Sequence, residues 1–241
     1  FLLVKSPDDY ILAAFLQACT PLIAGIFSIV WLRKHYTGLF KWPTIGEIIN
    51  SYKEGWSIFV SSLAVNLYTA TNIVVLGMLT NNVIVGYYSA ADKLITCVRR
   101  GIYAVSDAIY PFISKMMKDD ISKGLQFIKK QIFLYLVVGL IGCTSLFFFS
   151  DTIVKLLFGA DYELTVDVLR ILSFVPLAVA ISTVFGEETM LPLNMNSAYS
   201  RTLVLAAFFS LLSIFPLCYL WGAKGVAMTM LLTEFLIMII M

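Results

Sequence analysis

The stretch Val83–Ile113, VIVGYYSAADKLITCVRRGIYAVSDAIYPFI, is apolar enough to enter a bilayer, yet it carries Asp92, Lys93, Arg99, Arg100 and Asp107. Wound as a helix at about 100° per residue, those charges fall with Ser89, Thr96 and Tyr103 inside an arc of roughly 120°. Each charge facing lipid at mid-membrane would cost about 2.5–3.5 kcal/mol. The stripe is therefore expected to face protein or water inside a helix bundle. Asp92 and Arg99, like Arg100 and Asp107, are seven residues apart, about 10 Å of rise, so close pairing along the helix is poor. The stripe holds three cations and two anions. It is expected to wall a polar pathway suited to an anionic group, with helix-fixing ion pairs as the competing reading.

Composition supports a chain that lives in lipid. Of 241 residues, 60% are hydrophobic and 13% charged, against about 25% charged in soluble domains. The mean hydropathy is +0.89. This excludes a soluble fold with one anchor and implies an all-α, polytopic transmembrane bundle. Cys19, Cys97, Cys143 and Cys218 lie in apolar runs without paired spacing, and His35 is the single histidine, so no metal site is expected. The chain opens at Phe1 inside FLLV and stops at Met241 inside an apolar run, and it is expected to be a piece of a longer protein.

In chain order, Ser6-Pro7-Asp8-Asp9 is a helix-start signal. A first span is expected over 10–31, kinked at Pro21 and ended by Arg33-Lys34-His35. Thr44-x-x-Glu47 reads as a capping box. Ile45, Ile48, Ile49, Tyr52 and Trp56 repeat at helical spacing, as in an amphipathic helix lying at the membrane surface. Further spans are expected over 56–78, 83–113, 132–149, 168–193, 202–221 and 226–241, about seven in all. The second places Ser62, Asn66 and Thr69 on one face, with Asn72 off to one side. The segment 115–130, rich in lysine, reads as a solvated loop, and 151–167 as a short amphipathic piece. Gly139 and Gly142 permit close packing of the fourth span, Pro176 kinks the fifth, and Gly222-Ala223-Lys224-Gly225 makes a tight turn. Glu187, Glu188 and Glu234 are acids in apolar surroundings. The division is 1–42, a last span of an N-terminal lobe with its basic stop; 43–55, an interfacial linker; and 56–241, a C-terminal six-helix lobe. Basic residues collect on one side (Arg33, Lys34, Lys41, Lys53, the lysines of 115–130 and Arg201), which the positive-inside rule makes cytoplasmic.

The chain has no Walker loop, dinucleotide fingerprint, nucleophile elbow or metal-ligand spacing. No catalytic centre and no cofactor are expected. A polar bundle with an interfacial linker moves something more readily than it transforms something.

Four stretches then resemble one family. They are Val85-Gly86-Tyr87-Tyr88-Ser89-Ala90-Ala91-Asp92-Lys93-Leu94; Leu157-Phe158-Gly159-Ala160-Asp161-Tyr162; Leu193-Asn194-Met195-Asn196; and Gly222 to Ala227 followed by Glu234. In order and in span context they are similar to the O-antigen and capsule repeat-unit flippases of the multidrug/oligosaccharidyl-lipid/polysaccharide exporter superfamily. That resemblance implies two helical lobes around a central cavity and alternating access. The implied cargo is an undecaprenyl-pyrophosphate-linked oligosaccharide, turned across a bacterial inner membrane. Here the chain would supply the end of the first lobe, the linker and the second lobe. Arg99, Arg100 and Lys93 would offer charge to pyrophosphate, and Tyr103, Asn66 and Thr69 would contact sugars. Asp92, Asp107 and Glu234 are the candidates for cavity charge or for coupling to H+ or Na+. Membrane lipid and polysaccharide polymerase machinery are the implied partners, and nucleic acid is not. The competing readings are a cation-coupled multidrug or lipid-intermediate exporter of the same superfamily, and a polytopic membrane enzyme acting on lipid-linked sugars.

Overall fold

The computed structural model describes residues 10–35, 43–159 and 162–241. The expected helix start at Ser6–Asp9 and two residues of the Leu157–Tyr162 motif lie outside them. The described residues are helical throughout, with no strand among them: α1 (Tyr10–His35), α2 (Ile45–Leu79), α3 (Asn82–Asp119), α4 (Ile121–Phe158), α5 (Glu163–Leu172), α6 (Val175–Phe185), a π-helical turn (Gly186–Met190) and α7 (Asn196–Ile240). The chain divides into two compact units, Phe1–Lys53 and Glu54–Met241.

In the first unit, α1 carries Pro21 inside it and ends on Arg33, Lys34 and His35, cations that suit the negative end of the helix dipole. The His35 ring stacks on Trp31 with centroids 4.4 Å apart. The capping box is formed: the Thr44 amide donates to Glu47 Oε2 at 2.7 Å and the Glu47 amide donates back to Thr44 Oγ1 at 3.4 Å. The amphipathic segment is not a separate element. It and the expected second span are one helix, α2, because no proline lies between Thr44 and Leu79 and the three glycines there, Gly46, Gly55 and Gly77, are accommodated in helical backbone.

In the second unit, α6 is the centre. Its sequence VPLAVAISTVF is apolar on every side, and nine of its residues are buried, as a helix with no polar face requires. The core joins Val175 and Val179 of α6 to Leu169 and Leu172 of α5, Tyr88 and Ile95 of α3, and Ile214 and Met230 of α7. A second cluster packs Ala64 and Tyr68 of α2 on Leu203, Ala206 and Ile237 of α7. A third joins Ile113 and Met117 of α3 to Ile128 of α4 and Val184 of α6.

Three expectations change. The lysine-rich segment 115–130 is not a loop: α3 and α4 are separated by Asp120 alone. The Asp120 carboxylate accepts from the amides of Ser122 at 2.9 Å and Lys123 at 3.3 Å, and its own N–H donates to the Met116 carbonyl, so one residue closes one helix and caps the next. Gly124 lets the two arms meet, since a Cβ there would lie 2.6 Å from Met117 Cγ. Next, the fifth span is built from α5, α6 and the π-helical turn, broken before Pro176, which sits in the first turn of α6. Finally, Gly139 packs closely on Leu177, but a Cβ on Gly142 would meet nothing within 4 Å.

The turn at Gly222 is present. Gly222 has φ 56 and ψ −129, which divides α7 into arms 196–221 and 223–240. The second arm returns so closely that a Cβ on Gly225 would run into the Leu217 carbonyl. By length and composition, four helical segments can cross a membrane: Ile45–Leu79, Ile121–Phe158, Glu163–Met190 and Asn196–Ile240. That set leaves out α1 and the charged α3, so the expected count of seven is not established by it. The exposed surface is rich in large apolar side chains, among them Phe133, Phe148, Leu156, Phe208 and Leu212, far more than a water-facing protein shows in one patch. The molecule is a multi-pass, all-helical membrane protein.

Candidate functional site

α2 and α3 bring their polar faces together because neither face can be left to lipid. Between them, closed by the π-helical turn and α7, lies a cavity of about 900 Å³. From α2 it is lined by Ser62, Asn66, Thr69 and Asn72, and from α3 by Asp92, Thr96, Arg99, Arg100, Tyr103 and Asp107. Asn66 and Thr69 also return hydrogen bonds to their own helix, at Ser62 O (2.9 Å) and Val65 O (2.8 Å). Glu187 and Tyr199 complete the wall, with the Tyr199 hydroxyl 3.5 Å from Glu187 Oε1.

Arg99 is the buried member of the stripe, 8% exposed. Its Nη2 lies 3.6 Å from Glu234 Oε1 of α7, and the same oxygen accepts from the Tyr68 hydroxyl at 3.1 Å. Tyr103 stands beside the guanidinium. Arg99 Nε has no hydrogen-bond partner. The pair is therefore long for a charge-assisted bond, which is usually about 2.7–2.9 Å, and the guanidinium keeps a donor free. Arg100 is exposed.

Arg99, Arg100, Tyr103, Asp92 and Asp107 of the stripe and Asn66 and Thr69 of α2 all line one cavity. Lys93 departs from it. With Tyr87, Ser89, Phe158 and Tyr162 it lines a separate recess of about 450 Å³, because it stands at the far edge of the arc, about 120° from Arg99. Glu234 is behind the cavity wall, paired with Arg99, not free in the lumen. With Lys93 gone and Glu187 added, the lining holds two guanidiniums and three carboxyls. The cavity thus lacks the positive excess expected of the stripe. What it has is a localised cationic patch of two adjacent arginines.

A second polar cluster was not legible beforehand. The Ser106 hydroxyl donates to Glu188 Oε1 at 2.6 Å, with Gln131 and Tyr135 of α4 nearby. Ser106 follows Arg99 by seven residues and so shares its helix face, a signal that could have found it. Gln131, a lone amide at the head of an apolar run, was the other. Among the described residues no group of three His, Cys, Asp or Glu side chains could hold a metal ion.

These features define a class: a polytopic helical membrane protein with a polar, arginine-bearing cavity between its helices. The polysaccharide biosynthesis protein family matches residues 1–117. The chain is 31% identical over 241 residues to the "Putative O-antigen transporter" of Shigella dysenteriae, covering 100% of this chain and 60% of the relative. It is 30% identical over 243 residues to the protein of the same description from Escherichia coli (strain K12), covering 98% of this chain and 57% of that one. No solved structure matches it. The chain is similar to the polysaccharide biosynthesis protein family over those residues, and it spans 60% or less of the length of these curated relatives.

Proposed function

We propose that the full-length protein translocates lipid-linked O-antigen or capsule repeat units across the bacterial inner membrane by alternating access, without covalent chemistry. The observation that carries this reading is the pair Arg99 and Arg100 on the wall of a cavity whose opposite wall offers Asn66, Thr69 and Asn72. Guanidinium groups grip phosphate oxygens in a planar fork and stay charged at physiological pH. Amides and hydroxyls suit sugar hydroxyls. A cavity of about 900 Å³ is of the size that holds a drug-sized ligand, so it would take the pyrophosphate and the sugars next to it. The lipid tail would stay in the bilayer. The names of the relatives support an O-antigen cargo.

The test is made in the full-length protein, in cells lacking their own transporter, with membrane abundance and periplasmic repeat units measured together. Arg100→Ala should leave abundance unchanged and reduce delivery, because Arg100 is exposed in the cavity and makes no ion pair among the described residues. Arg100→Lys should retain more delivery than Arg100→Ala and less than wild type. Full delivery by the double variant Arg99→Ala, Arg100→Ala would overturn the reading.

A further inference from the structure

Lys93 is the one cation of the α3 stripe that the main cavity leaves out. Its recess of about 450 Å³ is shared with Gly86, Tyr87 and Ser89 of the same helix, Phe158 at the end of α4 and Tyr162 ahead of α5. Two stretches far apart in the chain meet there. The rings hold one another in place: Tyr162 meets Tyr87 edge-on with centroids 5.2 Å apart, and Phe158 at 5.5 Å. The Thr165 hydroxyl of α5 donates to the Tyr87 carbonyl at 3.0 Å, which ties α5 to α3 beside the rings. The recess is thus built by packing and needs no ligand to form, which lowers the cost of binding one.

The charge in this recess is uncompensated. Lys93 is exposed and enters no ion pair among the described residues. Its neighbour Asp92 lines the main cavity instead. The face around the ammonium is apolar. Val83, on the recess wall, is exposed, and so are Cys97 and Val98 in the next turn of α3. In a protein that lives in lipid such a face meets acyl chains, and an ammonium there must reach water or an anion. Depth places it among headgroups. Lys93 stands about 40 Å of helix from the Asp120 bend, against roughly 30 Å of hydrocarbon. With that bend at one surface, the recess reaches the headgroup level of the other, the level that suits lysine and tyrosine. α5 also begins at Tyr162, which gives it no side-chain cap, so the positive end of that helix dipole adds to the Lys93 charge at the rim.

We propose that this recess binds the headgroup of an anionic phospholipid of the phosphatidylglycerol class, with its phosphate on Lys93 and its glycerol against Tyr87, Phe158 and Tyr162. Charge complementarity selects the class. One cation without a carboxylate balances one net negative charge, whereas an ethanolamine or choline headgroup would bring a second ammonium beside Lys93. Ser89 and the tyrosine hydroxyls can supply neutral hydrogen bonds to the headgroup. The apolar rim selects a lipid over a free ion, because acyl chains can lie along it and inorganic phosphate has none. The recess has half the volume of the main cavity and shares none of its lining residues, so lipid and cargo occupy different places.

The test needs no cargo and so stands apart from the transport reading. The full-length protein is delipidated in detergent, offered equimolar phosphatidylglycerol and phosphatidylcholine with the same acyl chains, and weighed intact by native mass spectrometry as lipid is stripped away. The last lipid that wild type holds should be phosphatidylglycerol, in about fivefold preference, the weight of one lysine at an anionic headgroup. Lys93→Met, which keeps the apolar stem, should abolish the preference, and Lys93→Arg should keep it. Lys155→Met should leave it unchanged, because that ammonium, in the last turn of α4, is already held by Asp151 at 2.8 Å. A further variant closes the recess and leaves the charge alone. A Cβ on Gly86 would meet nothing within 4 Å, so Gly86→Leu is tolerated by the helix, fills the space and should lose the retained lipid. Equal retention of the two lipids by wild type overturns the proposal, as does a preference that survives either Lys93→Met or Gly86→Leu. Displacement of the lipid by millimolar inorganic phosphate overturns it as well, since the recess would then be a site for a free anion.

Discussion

Breaking the Arg99–Glu234 pair separates a substrate-gripping arginine from one that only fastens helices. The two side chains are 10% and 4% exposed and 3.6 Å apart. At an effective dielectric constant of about 20, that separation corresponds to about 4–5 kcal/mol of attraction, much of it offset by desolvation. Removing one partner strands the other, which costs about 3–5 kcal/mol. For a helical unit of this size that is a fall of roughly 6–20 °C in Tm. Arg99→Ala should therefore lower Tm and membrane abundance whatever the arginine does in transport. The discriminating variant removes the ion pair together with the hydroxyl that donates to Glu234: Arg99→Met, Tyr68→Phe and Glu234→Leu. Replacing a buried ion pair by apolar groups of similar volume is about neutral, and Tyr68→Phe avoids an orphaned hydroxyl, worth about 1–3 kcal/mol. This triple variant should melt near wild type and accumulate normally in the full-length protein, yet deliver few repeat units to the periplasm. Measured by thermal unfolding in detergent beside a periplasmic delivery assay, wild-type delivery by a stable triple variant would refute the assignment of Arg99 to the cargo. A triple variant as unstable as Arg99→Ala would refute the energetic reasoning.

Gly225→Ala should destabilise the protein by about 3 kcal/mol, the upper end for overpacking, because the added methyl meets the Leu217 carbonyl, while Gly142→Ala, with open space, should not; thermal melting of the two variants checks this. The hydrogen bond from the Lys123 amide holds the Asp120 carboxyl below the usual carboxylate range. A lowered folded value means a contribution present above about pH 4 and lost as pH falls through the lower folded value. Tm should therefore decline in acid more steeply for wild type than for Asp120→Asn, which keeps the capping oxygen without the charge. Single cysteines at Lys118 and Lys123, in a background lacking the native cysteines, should be shielded from an impermeant thiol reagent in intact cells. A cysteine at Lys155 should be labelled, since 32 helical residues of α4 span about 48 Å from Lys123. Labelling in the opposite sense would reverse the orientation.

The sequence carried the helices and one wall of the cavity, and it failed where neighbours decide. The stripe on α3 could be read because charge in an apolar run is costly and periodicity assigns it to one face. The capping box and the Gly222 turn are local devices and were equally legible. The segment 115–130 misled because lysine density looks like solvated loop, whereas helical backbone tolerates lysine well and only Asp120 had to break it. Lys93 and Glu234 were misplaced for a common reason. An arc on one helix does not say where the partner helices end, and only the packing of Phe158 at the end of α4, of Tyr162 and of α7 sets Lys93 in its own recess and Glu234 behind Arg99. Glu188 was visible as an acid, but its partners come from two other helices, and no spacing within one helix could assemble them.

The hairpin of α3 and α4 also decides how the molecule enters a bilayer. Each arm has 38 residues, about 57 Å of helix against roughly 30 Å of hydrocarbon. The arms therefore extend past the lipid, and their shared tip carries Lys115, Lys118, Lys123, Lys129 and Lys130. Pulling that tip through the membrane would mean carrying every one of these charges past the midplane, at about 2.5–3.5 kcal/mol apiece. Leaving it behind instead gains about 1 kcal/mol per lysine from anionic headgroups. Insertion is thus a one-way decision taken by a single tight bend. Since Arg99, Arg100 and Ser106 are on one of its arms, the way the cavity wall faces across the bilayer is fixed when that hairpin goes in.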